Sequence, residues 1–314
     1  MSPKERAIKA LTLQIPDSIP TFELDFQLSQ ELLGKEFYGS YLHEKPFKYN
    51  SKKERERMIK EDAELFIEEA ELLEHSIIMV SKSENIEDNI LIGKEIKKLI
   101  GEKYLIVAHL DGTFGIPDGQ NMAEFVYWLN DKPNEAKEKA KRMVEEAIEK
   151  AKRYMEGGFD GFALCTDYCF NKGPFLSPKM FSEFVTPYLF RLISAMREMG
   201  AYVIKHTDGN IMPIIDQLVA CGPHALHSLD PMAGVDIKEV KQKYGNKICL
   251  IGNVNCALLQ IGTKDQIKES AEYCLNHGKQ GGGYIFSTSN CIFKGIPLEN
   301  YLYILDIWRK ERNY

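Results

Sequence analysis

A histidine, an aspartate and a cysteine stand where short apolar segments of the chain end. His206 and Asp208 follow the apolar segment that begins at Tyr202, and Cys291 follows a similar segment much later in the chain. In an extended segment, residues i and i+2 point to the same side, so the imidazole and the carboxylate can converge on one point. One imidazole, one carboxylate and one thiol at strand ends predict a zinc site with an open coordination position.

Apolar strand-like segments alternate with amphipathic helical segments along most of the chain. Residues 134–156 place apolar side chains at the helical period, and Gly157 supplies a C-terminal stop. Ser177 is predicted to cap a helix that begins at Pro178 and is kinked near Pro187. The predicted strands cover residues 21–26, 77–80, 104–110, 161–167, 202–208, 225–230, 248–254 and 284–289.

Strands separated by helices predict a parallel sheet that is covered by the helices. Eight such units close into a (β/α)8 TIM barrel, and barrels routinely reach the length of this chain as one domain. We therefore predict an α/β fold of one domain over residues 1–314, with an N-terminal helical extension at residues 3–13. Residues 28–50 are predicted to be irregular, and no chemistry is assigned to them.

Composition limits the classes of protein to be considered. Apolar residues make up 44% of the chain and charged residues 27%, which favours a large core and argues against disorder. The formal net charge of −6 argues against nucleic-acid binding, because phosphate recognition needs a basic surface. The 7 cysteines form no tight framework, as expected of reduced thiols in the cytoplasm. No apolar run reaches membrane-spanning length, and the charged start MSPKERAIKA does not resemble a signal peptide, so we predict a soluble cytoplasmic protein.

The barrel prediction places many polar side chains at one rim, because active sites in this fold lie at the C-terminal ends of the strands. The residues predicted at that rim are Asp25, Asp111, Asp167, His206, Asp208, Asp230, Asn253, Asn255 and Cys291. The residues predicted to bind or orient substrate are Asp111, Tyr168, Phe170, Asp230 and Asn253. Purely structural roles are the alternatives: aromatic packing for Tyr168 and Phe170, an Asx turn for Asp208, and a buried apolar role for Cys291.

Five segments of the sequence resemble a known family. They are ERAIKALTLQIPDSIP, NKGPFLSPKMFSEFVTPY, KHTDGN, ICLIGNVN and FSTSNCIFKGIPLENY, and they are similar to the uroporphyrinogen decarboxylase superfamily. This resemblance implies a (β/α)8 barrel and, for function, either the true decarboxylases or the corrinoid-dependent methyltransferases. The motifs are more specific for the superfamily than for one activity.

The decarboxylase branch resembles this chain less well at two places. Its members grip the carboxylates of the porphyrin with several N-terminal arginines, whereas residues 13–50 contain no arginine. They also carry an Asn-Leu-Gly-His-Gly segment after the last strand, where this chain has Thr288-Ser289-Asn290-Cys291. Porphyrin decarboxylation is therefore the alternative function, together with a non-catalytic relative that keeps only the barrel.

The methyltransferase branch resembles this chain more closely. Its zinc enzymes use a His-x-Cys pair and a later Cys, which His206 and Cys291 match, while Asp208 replaces the first Cys. A carboxylate makes the metal a harder Lewis acid, which suits an oxygen-bearing substrate. The related O-demethylase methyltransferases of acetogens use two carboxylates and a histidine, a spacing that Asp167, Glu183 and His206 approximate.

The resemblance therefore implies a zinc-dependent methyltransferase. The expected zinc ligands are His206, Asp208 and Cys291, with Asp167 or Glu183 as a further carboxylate ligand. The expected reaction moves a methyl group between a small methylated, most simply methoxylated, compound and cobalamin carried by a separate corrinoid protein. His206, Asp208 and Asp167 are the expected catalytic residues.

Overall fold

A curled parallel sheet forms the centre of the molecule. The structure is a computed structural model that describes residues 1–39 and 49–314. The strands of these residues are β1 (Ile77–Val80), β2 (Leu105–His109), β3 (Gly161–Leu164), β4 (Cys169–Phe170), β5 (Gly173–Pro174), β6 (Tyr202–His206), β7 (Ala225–His227), β8 (Cys249–Ile251) and β9 (Tyr284–Ile285). The main sheet has the order β1-β2-β3-β6-β7-β8-β9 with parallel neighbours throughout, while β4 and β5 form a small antiparallel hairpin.

Helices connect the strands of this sheet, as the alternation of the sequence predicts. In the described residues they are α1 (Pro3–Leu11), α2 (Ser29–Leu33), α3 (Lys52–Leu72), α4 (Ile86–Ile100), α5 (Met122–Asp131), α6 (Pro133–Glu156), α7 (Pro178–Phe184), α8 (Thr186–Glu198), α9 (Ile215–Ala220), α10 (Ile237–Tyr244), α11 (Cys256–Ile261), α12 (Lys264–Gly278) and α13 (Leu298–Glu311), with a 3₁₀ turn at Pro231–Ala233. None of these helices within residues 1–39 and 49–314 has the length and apolar character needed to cross a membrane.

The helix predicted from Pro178 is divided in two by Val185. Pro187, near the start of α8, has no N–H to donate to the carbonyl oxygen of Glu183, so the first helix cannot continue through it. The prediction that residues 28–50 are irregular is wrong at α2, and residues 40–48 of that range lie outside the described residues.

The predicted first strand at residues 21–26 is wrong in detail. Thr21 makes an isolated parallel bridge with Phe286, and its carbonyl oxygen accepts the N–H of Ser76, just before β1. The segment thus bonds to both edges of the curled sheet without forming a regular strand. One reason is that the Glu23 carboxyl group accepts the N–H of Thr288, a donor that a regular ladder would use.

Alternate strand residues form two separate clusters. The inner cluster draws side chains from every strand of the main sheet, namely Ile77, Leu105, Val107, Ala163, Ile204, Ala225, Cys249, Ile251 and Ile285, together with Ala7, Ala10 and Leu11 of α1. Neighbours such as Phe162 and Val203 join the outer cluster beneath the helices. Because the strand period is two residues, His206 and His227 share the inner face with Ile204 and Ala225. The register pairs His206 with His227, so the two imidazoles lie side by side at the C-terminal ends of β6 and β7.

Candidate metal-binding site

Three side chains converge at the C-terminal end of β6. Asp167 lies in the loop after β3, His206 ends β6, and Asp208 follows in the next loop. The Nε2 atom of His206 is 3.9 Å from Asp167 Oδ1 and 3.8 Å from Asp208 Oδ1. The potential ligand atoms of all three residues lie within 4.8 Å of one another, and we refer to them as the carboxylate–histidine cluster. The strands predicted over residues 161–167 and 202–208 end earlier in the structure, at Leu164 and His206. Asp167 and Asp208 therefore lie in loops.

Hydrogen bonds fix the Asp208 carboxylate. Its Oδ1 atom accepts the hydroxyl of Ser228 at 2.8 Å, and its Oδ2 atom accepts the side-chain amide of Asn290. Its backbone N–H donates to Asp167 Oδ1 at 2.9 Å, which ties the two carboxylate loops together. Ser228 has a φ of +82°, a backbone conformation that costs a residue other than glycine about 1–3 kcal/mol. The strained backbone holds the hydroxyl of Ser228 against the cluster.

Electrostatics leave the cluster with an excess of negative charge. Burial and the neighbouring charge of Asp167 raise the pKa of Asp208 to about 6. Burial, followed by the proximity of His227, lowers the pKa of His206 well below its ordinary value, so its imidazole is neutral at pH 7. Its Nδ1 atom lies 2.7 Å from Nδ1 of His227, which leaves Nε2 as the nitrogen that faces the two carboxylates.

A buried ion pair positions the loop that carries Asp167. Lys205, on the outer face of β6 and fully buried, donates to Asp111 Oδ2 at 3.0 Å and to the carbonyl oxygen of Thr166 at 2.9 Å. Asp111 Oδ2 also accepts the N–H of Thr166. Burial alone would raise the pKa of Asp111, but Lys205 and the hydrogen bonds hold it below its ordinary value. Asp111 is therefore occupied in fixing the loop, and a direct role in substrate binding stays a prediction.

The other residues predicted to bind substrate have structural contacts of their own. Tyr168 is buried, with its hydroxyl 2.6 Å from the hydroxyl of Thr113. Asn253 is buried, and its side-chain amide donates to the carbonyl oxygen of Leu229. Asp230 caps the turn that follows it by accepting the N–H of Met232. These contacts explain the presence of the three side chains, and their contact with substrate stays a prediction.

Phe170, in contrast, is open to solvent near the cluster. Its side chain is 45% exposed, and its carbonyl oxygen accepts the N–H of Asn210, two residues after Asp208. The Asp167 side chain is also 45% exposed. The cluster is therefore reached by solvent at Asp167, and a backbone hydrogen bond joins the β4–β5 hairpin to the loop that follows Asp208.

Two of the predicted metal ligands do not belong to the cluster. Among the described residues, the group of three or more potential ligands within this distance contains Asp167, His206 and Asp208, but not Cys291 or Glu183. Glu183 lies on α7, where its carboxylate pairs with Lys137 at 2.7 Å. Burial raises the pKa of the Cys291 thiol to about 12. The segment around Cys291 reaches the cluster through the neighbouring Asn290 instead.

Sequence reasoning did not assign site roles to Asn290, Ser228 or Lys205. Asn290 could have been predicted from the sequence, since it immediately precedes Cys291, a predicted metal ligand. Ser228 and Lys205 carry no local signal, because their roles depend on which loops the curled sheet brings together. The register of β6 and β7 places His227 against His206.

The donor set of the cluster suits a divalent cation. One imidazole nitrogen and two carboxylates supply the nitrogen and oxygen ligands that zinc accepts, and a tetrahedral site would separate such atoms by about 3.4 Å. The observed distances of 3.8 and 3.9 Å from His206 Nε2 are a few tenths of an ångström wider. Small side-chain rotations would close that gap, and the mutual repulsion of the carboxylates favours a cation between them.

Comparisons with known proteins match the chain to one family. The family profile described as Uroporphyrinogen decarboxylase (URO-D) matches residues 117–310, a range that includes the cluster. Curated relatives include "Uroporphyrinogen decarboxylase" of Syntrophotalea carbinolica, which is 24% identical over 172 residues (55% of this chain and 49% of the relative). The protein of the same name from Pseudoalteromonas translucida is 25% identical over 138 residues, 41% of this chain and 36% of the relative. The chain thus spans half or less of the length of these relatives.

A solved structure resembles the chain over its whole length. The "methyltransferase from Methanosarcina mazei" aligns with a TM-score of 0.74 and covers 99% of this chain and 99% of its own. The sequence identity of 18% is low, so this likeness shows a shared fold.

Proposed function

The chain belongs to the uroporphyrinogen decarboxylase family, and from this premise we propose that it is a metal-dependent methyltransferase. The proposed reaction moves a methyl group between a small methoxylated compound and the cobalamin of a separate corrinoid protein. The observation that carries the proposal is the carboxylate–histidine cluster at the C-terminal ends of the strands, the end at which barrels of this kind hold their active sites. The methyltransferase of similar fold supports the same choice.

We propose Asp167, His206 and Asp208 as the ligands of a zinc ion. A bound zinc ion would act as a Lewis acid towards an ether oxygen and stabilise the leaving group when the methyl group departs. Two carboxylates and one imidazole form a harder ligand set than the thiolates that suit a sulfur substrate. The ligand set differs from the sequence expectation, because Asp167 takes the place of Cys291.

The protein's own residues would orient the reactants. Ser228 and Asn290 hold the Asp208 carboxylate, and the Lys205–Asp111 pair fixes the loop of Asp167. Preorganised groups of this kind need no rearrangement as the reaction proceeds. The half-exposed side chains of Asp167 and Phe170 mark the open side from which the corrinoid partner would approach.

Porphyrin decarboxylation is the second candidate, favoured by the name of the family profile and of the curated relatives. That reaction needs cationic side chains to hold several substrate carboxylates. Residues 13–50 contain no arginine, and the open end of the barrel presents Asp167 and Asp208, which would repel a polyanion. Charge therefore favours the methyltransferase.

Metal analysis and a transfer assay test the proposal together. Anaerobically purified wild type should hold about one zinc ion per chain, and His206→Ala should lose it. Glu183→Gln and Cys291→Ser are matched controls that should keep the metal, because both side chains lie outside the cluster. Formation of methylcobalamin from cob(I)alamin and a methoxylated aromatic should fall at least about 100-fold in His206→Ala.

Three results would overturn the proposal. A folded wild type that binds no divalent cation would support the non-catalytic relative. Loss of zinc in Cys291→Ser but not in Asp167→Asn would show that Cys291, and not Asp167, is the third ligand. Release of CO2 from uroporphyrinogen, without formation of methylcobalamin, would establish the second candidate.

A further inference from the structure

A line of buried hydrogen-bonding groups leads from the cluster into the protein. His206 Nδ1 lies 2.7 Å from His227 Nδ1, and His227 Nε2 lies 3.3 Å from the Ser287 hydroxyl. The Ser287 hydroxyl lies 3.4 Å from Glu23 Oε2. Glu23, the most exposed of these four residues, is only 7% exposed, so water does not compete along the line. The line links the proposed ligand His206 to a carboxyl group that has no part in the cluster.

Geometry indicates that Glu23 holds a proton. The Thr288 hydroxyl lies 2.5 Å from Glu23 Oε2 and 2.6 Å from the carbonyl oxygen of Asn290. A hydroxyl has one proton, and a carbonyl oxygen can only accept, so Thr288 donates to Asn290 and Glu23 donates to Thr288. Burial raises the pKa of Glu23 to about 8, which agrees with a protonated carboxyl group at pH 7.

The surroundings of Glu23 offer little to neutralise its charge. The titratable groups around it include Asp25, Glu69, His75, Lys82, Cys256, Cys291, Tyr284 and Tyr301. Lys82 is the cation among them and pairs with Asp25, while burial lowers the pKa of His75 to about 4 and keeps it neutral. An ionised Glu23 would therefore depend on hydrogen bonds from Ser287, Thr288 and Tyr301.

We propose that Glu23, Ser287 and His227 form a buried proton relay that ends at Nε2 of His206 and couples cation binding to ionisation of Glu23. Before binding, Glu23 is protonated and Ser287 donates to His227 Nε2. His227 carries its proton on Nδ1 and donates it to His206 Nδ1. His206 therefore carries its own proton on Nε2. This arrangement keeps both imidazoles neutral and points an N–H at the two carboxylates. It rests on the cation site of the proposed function.

Binding of a cation needs the lone pair of His206 Nε2, so the Nε2 proton must leave to solvent. Each remaining proton then moves one position: from His227 Nδ1 to His206 Nδ1, and from Ser287 to His227 Nε2. The proton on Glu23 Oε2 turns from the Thr288 hydroxyl to the Ser287 hydroxyl and is transferred to Ser287. The balance is one proton released and one carboxylate formed at Glu23. The new carboxylate, acting through Ser287, makes His227 a better acceptor and His206 a stronger ligand. Cation affinity should consequently rise about tenfold per pH unit around pH 7, where Glu23 is still protonated.

The relay can be tested without a metal by 15N NMR of the imidazole nitrogens in EDTA-treated protein. In wild type, His206 and His227 should exchange tautomers together as the pH rises from 6.5 to 9.5. Glu23→Gln keeps the shape but cannot ionise, so the tautomers should not change with pH. Ser287→Ala keeps Glu23 but breaks the line, and it should abolish the change too. Wild-type tautomers that are the same at both pH values would overturn the relay.

Zinc titration calorimetry at pH 7 in buffers of different ionisation enthalpy is the second test. Wild type should release about one proton per zinc ion, and Glu23→Gln close to none. Equal proton release by the two proteins would overturn the coupling. Wild type that binds no zinc while its tautomers still follow the pH would refute the proposed function and leave the hydrogen-bonded relay in place, so the two failures are distinguishable.

Discussion

Replacement of Asp208 by Asn should stabilise the metal-free protein at neutral pH. The folded protein raises the pKa of Asp208 from 3.8 to about 6, because the carboxylate is buried and faces Asp167. This difference corresponds to about 3 kcal/mol, and because the side chain is still 30% exposed we expect about 1–3 kcal/mol. An amide of the same shape keeps an acceptor for Ser228 and has no charge to desolvate, although the hydrogen bond from Asn290 is lost and reduces the gain.

The sign of the pH dependence follows from the raised pKa. Below pH 3.8 the carboxyl group is protonated in the folded and the unfolded protein, and no penalty exists. Between pH 3.8 and about 6 the folded protein keeps a proton that the unfolded protein has released, so its stability falls as the pH rises. Above about pH 6 the whole penalty is present.

Urea unfolding of EDTA-treated wild type and Asp208→Asn at pH 4.5 and 7.5 measures this penalty. The variant should gain about 1–3 kcal/mol at pH 7.5 and clearly less at pH 4.5. Asp131→Asn, at an exposed position of α5, is a matched control that should change stability by less than about 0.5 kcal/mol at both pH values. A gain at pH 7.5 no larger than that at pH 4.5 would refute the electrostatic reasoning. Zinc at 100 times its Kd should add about 2.7 kcal/mol to wild type and nothing to Asp208→Asn.

Two further predictions concern the supports of the cluster. Lys205→Met should destabilise the protein by about 3–5 kcal/mol, since it leaves the buried Asp111 carboxylate unpaired, and Lys205→Met/Asp111→Leu should recover part of that loss in urea unfolding. A single variant as stable as wild type would contradict the role of the pair. Ser228→Ala should raise the pKa of Asp208 above about 6, because the variant lacks a hydrogen bond that stabilises the ionised carboxylate in wild type. 13C NMR of the Asp208 carboxyl carbon measures this pKa. An unchanged or lower pKa would show that the hydroxyl does not stabilise the carboxylate.

The fold was largely predictable because strands and helices repeat apolar residues at different, regular spacings along the sequence. Apolar strands alternating with helices predict a parallel sheet without knowledge of any contact. The segment at residues 21–26 differed because period and propensity do not reveal that Glu23 would accept the backbone donor of Thr288. The kink near Pro187 was predictable, since the missing N–H of proline is a local property, whereas the division into two helices at Val185 was not.

The candidate site was predictable only in part. His206 and Asp208 stand two residues apart, so their neighbourhood follows from the sequence. Asp167 was one of several acidic side chains at strand ends, and spacing cannot choose it over Glu183 on α7. The choice depends on the order of the strands, because β3 pairs with β6 and brings the two carboxylate loops together.

The sequence by itself determined the alternation of strands and helices, the negative charge and the presence of a histidine and carboxylates at strand ends, because these are properties of residue type and spacing. Only the tertiary structure decided which side chains meet. The register of β6 and β7 sets His206 against His227, and Glu23, far away along the chain, reaches Ser287 at 3.4 Å. Hydrogen bonds and charge repulsion act over a few ångströms, so the chemistry of this site depends on distances in space that no separation along the chain encodes.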